Sequence, residues 1–310
     1  MTLAALLLSV IATRQAAAQT QRTVAIPCER DTGQLAQAHP YNNDGAWGYL
    51  WIKVGNGENR IALGFDTTPL AGLQSNIVSA VIRLRCGDHT FTLSGTSFSI
   101  HAYNPYNQID WIEGNDRFNL FTYADDRRFY RSPKAVGGPG ITWRCEADNN
   151  PNDGKCNCLT PWLPFTTWNG GLAEPTEPVA NLPRGFRTTA SDIRIEKKGY
   201  DPLQAAALKC YLNGGGVDCW RAVDFDVTAD IREFAGIGFN HPTWLIRRTP
   251  PASGSGGAHF FSREGAICIF GIPELTPTLF VTLALPADAS PIVIPEPEPH
   301  CQSYTEPPVF

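Results

Sequence analysis

Strand-like segments fall into two groups separated by a long stretch with few apolar runs. The groups span residues 49–103 and 222–285, and both place β-branched and aromatic residues between turn residues. The interval 105–220 is rich in Pro, Gly, Asn and Asp and carries five of the nine cysteines. One unit built from both groups pairs early strands with late ones. We therefore predict an all-β fold, an antiparallel jelly-roll β-sandwich with a long disulfide-pinned loop region.

The clearest strand pattern lies at residues 77–85, where side chains alternate between a mixed face and an apolar face. The apolar face consists of Val78, Ala80, Ile82 and Leu84. This pattern is typical of a strand with one side on a sandwich core. The Gly87-Asp88 pair that follows predicts a hairpin turn into the next strand. Helical patterns are weak; the best is at residues 202–212, and a short helix is predicted to begin at Thr228, with the Thr228 hydroxyl as its cap.

Several short motifs occur in a fixed order along the chain. Phe65-Asp66 closes an early strand, and Asp226-Val227-Thr228, Ser262-Arg263-Glu264 and the strand at 277–283 follow. In this order they resemble the DNRLRE (disaggregatase-related) family of extracellular β-sandwich modules, which includes polysaccharide-binding modules of secreted enzymes and surface proteins. The resemblance covers residues 23–285. It implies a DNRLRE-like β-sandwich domain there, and a binding function rather than catalysis.

The two ends of the chain differ from this central unit. Residues 3–12 are apolar and precede Ala16-Ala17-Ala18, which suits a signal peptide over residues 1–18; a buried N-terminal helix is the alternative. This run is too short to cross a bilayer, which needs roughly 20 apolar residues, and no later segment is suited to spanning one. Residues 286–310 form a Pro-rich acidic tail. We expect a secreted, extracellular protein that is not membrane-spanning.

The nine cysteines favour an oxidising compartment. Cys156 and Cys158 lie within one loop, and Cys210 and Cys219 flank a turn of three glycines. A zinc site would need paired cysteine spacings with histidines nearby, and the histidines lie elsewhere. We therefore predict disulfide bonds rather than metal coordination, with the pairing left open.

Charge and motifs exclude several classes of function. The net charge of −5 gives no basic footprint for nucleic acid. It also repels an acidic polysaccharide, unless a local cationic strip or a metal ion compensates. The sequence contains no nucleophile elbow, zinc-protease helix, P-loop or dinucleotide fingerprint. No catalytic residue and no cofactor is therefore assigned, and the oligomeric state stays open.

Aromatic residues in polar loops are the candidates for a ligand platform. Sugar rings stack on flat aromatic faces that combine apolar area with a polar handle. For Trp51 and Trp244, which lie inside strands, burial in the core is the favoured interpretation. The predicted ligand-binding residues are instead loop aromatics: Tyr106, Trp111, Trp162 and Trp168. We expect the partner to be a polysaccharide or another cell-surface polymer, bound in adhesion, matrix assembly or enzyme targeting.

Two other functions remain open. Two acids suitably spaced at strand ends would suit a secreted polysaccharide hydrolase or lyase. The candidates are Asp66, Asp224, Asp226 and Glu264. Salt bridges to arginines such as Arg60 and Arg263, or caps of backbone donors, are the favoured interpretation of these acids. The third function is a structural surface protein without a small ligand.

Acids in turns with Asn neighbours suit a structural calcium ion. Six of them share this setting: Asp44, Asp88, Asp125, Asp126, Asp148 and Asp153. The run at 148–153 is the most suggestive, although it lacks the spaced glycine and terminal Glu of an EF-hand loop. A solvated turn is the favoured alternative.

Overall fold

The structure is a computed structural model of the chain of 310 residues. It describes residues 19–32, 35–36, 48–54, 58–87, 96–103, 145–148, 158–161, 186–187, 189–196, 204–248 and 256–296.

Strands dominate the fold. They are β1 (Gln19–Pro27), β2 (Arg30–Asp31), β3 (Leu35–Ala36), β4 (Tyr49–Val54), β5 (Asn59–Gly64), β6 (Ile77–Arg85), β7 (Thr96–Ala102), β8 (Cys145–Asp148), β9 (Cys158–Pro161), β10 (Asp192–Glu196), β11 (Ala222–Asp226), β12 (Thr243–Arg248), β13 (Gly256–Phe261) and β14 (Thr278–Pro286). The helices are α1 (Gln204–Cys210) and α2 (Thr228–Gly236), and a π-helical turn (Tyr211–Gly215) follows α1. Both helix predictions are confirmed: α2 begins at Thr228, and α1 lies within residues 202–212.

Two antiparallel sheets form the sandwich. The first sheet has the order β1-β14-β6-β11. The second has the order β10-β7-β12-β5-β4-β13, with β2 and β3 also on β5. Eight strands show the jelly-roll order: β1, β5, β6, β7, β10, β11, β12 and β14. When these eight are counted from 1 to 8 along the chain, the first sheet has the order 1-8-3-6 and the second has the order 5-4-7-2. Early strands therefore pair with late strands in both sheets, as in a jelly roll. The predicted all-β sandwich is confirmed.

The core lies between the sheets. It combines Ile61 and Leu63 of β5, Phe98 of β7, Trp244 of β12 and Leu279 of β14, among others, all fully buried. A second, smaller cluster packs α1 and Trp220 against Tyr49 of β4 and Phe261 of β13. The disulfide Cys210–Cys219 closes the turn beside this cluster, within the predicted loop region. Cys268 is also disulfide-bonded.

Strand β6 departs from simple alternation at its start. Ala80, Ile82 and Leu84 are buried as predicted, but Val78 is 38% exposed and Ile77 only 3%. Opposite this point, Thr282 pairs with Ser79 and Leu283 with Ile77, so Val78 is an extra residue in the ladder. Such a bulge reverses the faces of the residues before it. The predicted position of Val78 on the apolar face was therefore wrong.

Two further local predictions were wrong. Gly87-Asp88 does not join a hairpin, because β6 lies in the first sheet and β7 in the second. The Thr228 hydroxyl does not cap α2; it accepts a hydrogen bond from the Ala80 N–H at 2.9 Å, in strand β6. The Thr228 N–H donates instead to the Asp226 carboxylate at 2.9 Å. The hydroxyl that the sequence assigns to the helix start therefore accepts a backbone hydrogen bond from strand β6 instead.

The beginning of the Pro-rich tail lies against the sandwich. Ala289, Ile292 and Ile294 are partly buried on the core. The Arg22 guanidinium of β1 donates to the carbonyl oxygens of Ala289 and Ala287 at 2.7 and 2.8 Å. These contacts fix the chain direction after β14, as far as residue 296.

Candidate functional site

The predicted ligand platform lies outside the described residues. This holds for all four of its members: Tyr106, Trp111, Trp162 and Trp168. The run at 148–153 proposed for calcium is also outside, apart from the backbone of Asp148. In the described part of the chain, no group of three or more His, Cys, Asp or Glu residues is placed to hold a metal ion. The platform and the calcium site stay predictions.

Three of the four strand-end acids have caps or salt bridges on the surface of the sandwich. Asp224 accepts both the Nε and Nη2 donors of Arg83 at 2.7 Å each, across β11 and β6. Asp66 accepts the Thr68 N–H at 2.8 Å at the start of a helical turn. Asp226 accepts the Thr228 N–H at 2.9 Å at the start of α2. These contacts match the structural interpretation of the acids.

The fourth acid, Glu264, belongs to a buried ionic cluster. Its Oε1 accepts the Nε and Nη2 donors of Arg263 at 2.8 and 2.6 Å. The Arg263 N–H also donates to Asp31 Oδ2 at 2.8 Å, and all three side chains are essentially inaccessible. Burial, with the Glu264 charge second, raises the pKa of Asp31 well above its usual range. No substrate reaches this cluster, so it joins β2 to the end of β13 as a structural element.

Charged and polar side chains collect on the outer face of the second sheet. Ile61 of β5, Ile246 of β12 and Ile100 of β7 face the core. Because side chains alternate along a strand, the side chains on the face opposite the core are those of Arg60, Arg247 and Ser99. Polar residues inside three neighbouring strands thus share one face, which is the candidate site.

The central feature of this face is a charged row formed by Glu58, Arg60 and Arg247. Arg60 donates from Nε and Nη2 to the two Glu58 oxygens at 2.9 and 3.0 Å. Arg247 Nε lies 3.3 Å from Glu58 Oε1 and also donates to the Arg248 carbonyl. The Arg60 side chain is buried, whereas 16% of the Arg247 side chain and 19% of the Glu58 side chain are exposed. The row therefore reaches solvent through Arg247 and Glu58.

A histidine–serine pair lies beside the charged row on β7. His101 Nε2 is 2.8 Å from Ser99 Oγ, and His101 Nδ1 is 2.9 Å from the Arg187 carbonyl oxygen. Because a carbonyl only accepts, Nδ1 carries the proton and Nε2 accepts from the serine hydroxyl. Ser99 and His101 are two residues apart in β7 and therefore share one face of the strand, a spacing that is visible in the sequence. Ser99 and His101 are only 3% and 5% exposed, so the pair is a buried structural contact.

Acid is expected to destabilise the fold through His101. Burial, together with the charges of Arg247 and Arg60, lowers the pKa of His101 to about 4, against the hydrogen bond to Arg187. The unfolded chain binds this proton below about pH 6.5, so the stabilisation is complete above that pH and is lost as pH falls towards 4. The loss is roughly 3 kcal/mol. Urea unfolding between pH 4 and 7 measures it.

The variant His101→Gln isolates this effect from other titrating groups. Its free energy of unfolding is expected to vary less between pH 6.5 and 4 than that of the parent protein. An unchanged pH slope in His101→Gln would contradict the assignment.

An aromatic pair with a cation lies at the other end of this face. The rings of Trp51 (β4) and His259 (β13) meet edge to face, with centroids 5.2 Å apart. Lys53 Nζ lies 4.4 Å from the centre of the Trp51 ring. All three side chains are half-buried. Register pairs Lys53 with Asn59, so the end of β4 lies beside the start of β5, the strand that carries Arg60.

The structure corrects the expectation for Trp51 and confirms that for Trp244. Trp244 is fully buried, and its Nε1 donates to Asp230 at 2.9 Å. Trp51 lies on the face opposite the core, because it alternates with the buried Leu50 and Ile52. The same alternation was visible in the sequence at 49–54, where it would have placed Trp51 and Lys53 together.

The sequence matches no family model and no curated protein. No helix in the described ranges is both long and apolar enough to cross a membrane.

Proposed function

We propose that this chain is a secreted, non-catalytic module that binds a polysaccharide or another cell-surface polymer, and that it is related to the DNRLRE modules. It would act in adhesion, matrix assembly or enzyme targeting. The observation that carries the proposal is the half-buried Trp51 ring, with Lys53 and His259 beside it and the Arg247 guanidinium in the adjoining row. A flat ring next to charged donors meets the two requirements of sugar recognition, stacking and hydrogen bonding.

A non-catalytic function is favoured by the state of the acids and of the serine. Asp66, Asp224 and Asp226 form caps or a salt bridge, and Glu264 is fully buried. The Ser99–His101 pair is buried as well. The secreted hydrolase or lyase and the structural surface protein remain the alternatives, and measurement of reducing-end release beside binding separates all three functions.

Replacing Trp51 is expected to weaken polysaccharide binding about tenfold or more. Stacking on an exposed aromatic ring is worth about 1–3 kcal/mol, by analogy with nucleobases, and tenfold corresponds to about 1.4 kcal/mol. The measurement is affinity gel electrophoresis of Trp51→Ala in gels containing the polysaccharide that the parent protein binds on a glycan array. Thermal unfolding of the variant checks that the sandwich stays folded.

Phe280→Ala is the matched control. Phe280 is also half-buried, and Arg83 lies 5.2 Å from its ring centre, but it belongs to the first sheet. This variant should bind like the parent. Equal weakening by both substitutions would place the effect in stability rather than in the outer face of the second sheet. Trp111→Ala in the same gels tests the loop platform, for which a tenfold loss is also expected.

A further inference from the structure

Among the described residues, two cations of the candidate site are incompletely matched by acids: Arg247 has one contact with Glu58, and Lys53 has no ion pair. Glu58 gives both of its oxygens to Arg60, so its charge is largely taken up by that arginine. Arg247 contributes only its Nε, at the longer distance of 3.3 Å, and its two terminal nitrogens have no hydrogen-bond partner among the described residues. The two terminal nitrogens of Arg247 are therefore available to donate hydrogen bonds to a ligand.

Lys53 provides a second positive charge at the same site. Its ammonium lies over the Trp51 ring, and no carboxylate of the described residues forms an ion pair with it. Within the described ranges, the charged row and Lys53 combine three cations with one anion, although the whole chain has a net charge of −5. A local positive field on an acidic protein is a feature that favours an anionic ligand.

We infer that this site binds a polysaccharide whose sugar units carry carboxylates, with Arg247 holding the carboxylate and Trp51 stacking against the ring. The inference rests on the proposed function and specifies the ligand class. The planar guanidinium matches a carboxylate with two parallel hydrogen bonds. Lys53 adds a point charge that attracts the next acidic unit along the polymer. The positive site offsets the repulsion between a polyanion and the rest of the chain.

The test is affinity gel electrophoresis of the whole protein in five polymers. Three carry carboxylates: polygalacturonate, alginate and hyaluronan. The fourth is neutral hydroxyethylcellulose and the fifth is dextran sulfate. We expect retardation in at least one carboxylate polymer, weaker or absent retardation in the other two classes, and loss of retardation as salt rises. Arg247→Gln and Lys53→Gln should each weaken binding about tenfold or more.

Two matched variants separate site chemistry from general charge. Lys209→Gln removes the same charge from an exposed position near the end of α1 and should bind like the parent. Arg247→Lys keeps the charge but loses the fork, and should fall between the parent and Arg247→Gln. Thermal unfolding of each variant confirms that it is folded.

The outcomes distinguish this inference from the proposed function. Binding to hydroxyethylcellulose that Arg247→Gln leaves unchanged would overturn the ligand class and leave the binding module standing. Tighter binding to dextran sulfate than to every carboxylate polymer would overturn the carboxylate assignment. Equal weakening by Lys209→Gln would overturn the role of this site. Failure to bind any of these polymers or any polysaccharide on a glycan array would contradict both proposals.

Discussion

Gly265→Ala is expected to lower the free energy of unfolding by about 3 kcal/mol or more. A Cβ on Gly265 would lie 1.8 Å from the Gly48 carbonyl oxygen and 2.7 Å from its carbon. These are backbone atoms, and the same oxygen accepts the Ser262 N–H, so they cannot move aside as a side-chain tip would. Overpacking of this kind costs about 1–3 kcal/mol, and more where the backbone is fixed. Urea unfolding measures the change.

Gly236→Ala is the control for this substitution. Gly236 is the last residue of α2, and a Cβ there meets nothing within 4 Å. Alanine is the better helix former, so the variant should be as stable as the parent or more stable, by up to about 1 kcal/mol. If Gly265→Ala unfolds at the same urea concentration as Gly236→Ala, the close approach of Gly48 and Gly265 is wrong.

Arg263→Leu is expected to cost about 3–5 kcal/mol, because it leaves buried carboxylates without their cation. Arg263 alone gives two charged hydrogen bonds to Glu264, and its side chain is 2% exposed. Asp31, buried beside it, already binds its proton more tightly because of burial and the Glu264 charge. Loss of the guanidinium removes a charge that lowers the pKa of Asp31, so the pKa of that carboxyl would rise further. The free energy of unfolding by urea at pH 7 gives the cost.

Arg83→Leu provides the comparison at the surface. Arg83 makes an equally good bidentate pair with Asp224, but its side chain is 37% exposed and that of Asp224 40%. Exposed pairs of this kind contribute about 0–1 kcal/mol. Similar losses in Arg83→Leu and Arg263→Leu would show that the Arg263 cluster is not buried as described.

The strands and their pairing were predictable because burial imposes period-two alternation, which survives in a single sequence. The strand Ile77–Arg85 was predicted with the bounds that the structure has. The bulge at Val78 was not predictable, since it depends on the register against β14, about 200 residues away. The prediction that the Thr228 hydroxyl caps α2 failed for the same reason, because the partner of this hydroxyl comes from β6.

The candidate site was missed because its residues are far apart in sequence. Glu58 and Arg247 meet only after β5 and β12 pair, and Trp51 meets His259 only after β4 and β13 pair. The position of Trp51 inside a strand led to its assignment to the core, although alternation with Leu50 and Ile52 carried the opposite signal. For Arg263, by contrast, its acidic partner is the next residue, and the predicted arginine–carboxylate pair is present.

The central claim is that the chain binds a polysaccharide without cleaving it. The most direct measurement incubates the protein with a panel of polysaccharides and records, in the same samples, the bound fraction and the release of reducing ends. We predict saturable binding to at least one polymer, weakened about tenfold or more by Trp51→Ala, with no increase in reducing ends over a protein-free control. Release of reducing ends, or binding that Trp51→Ala leaves unchanged, would contradict it.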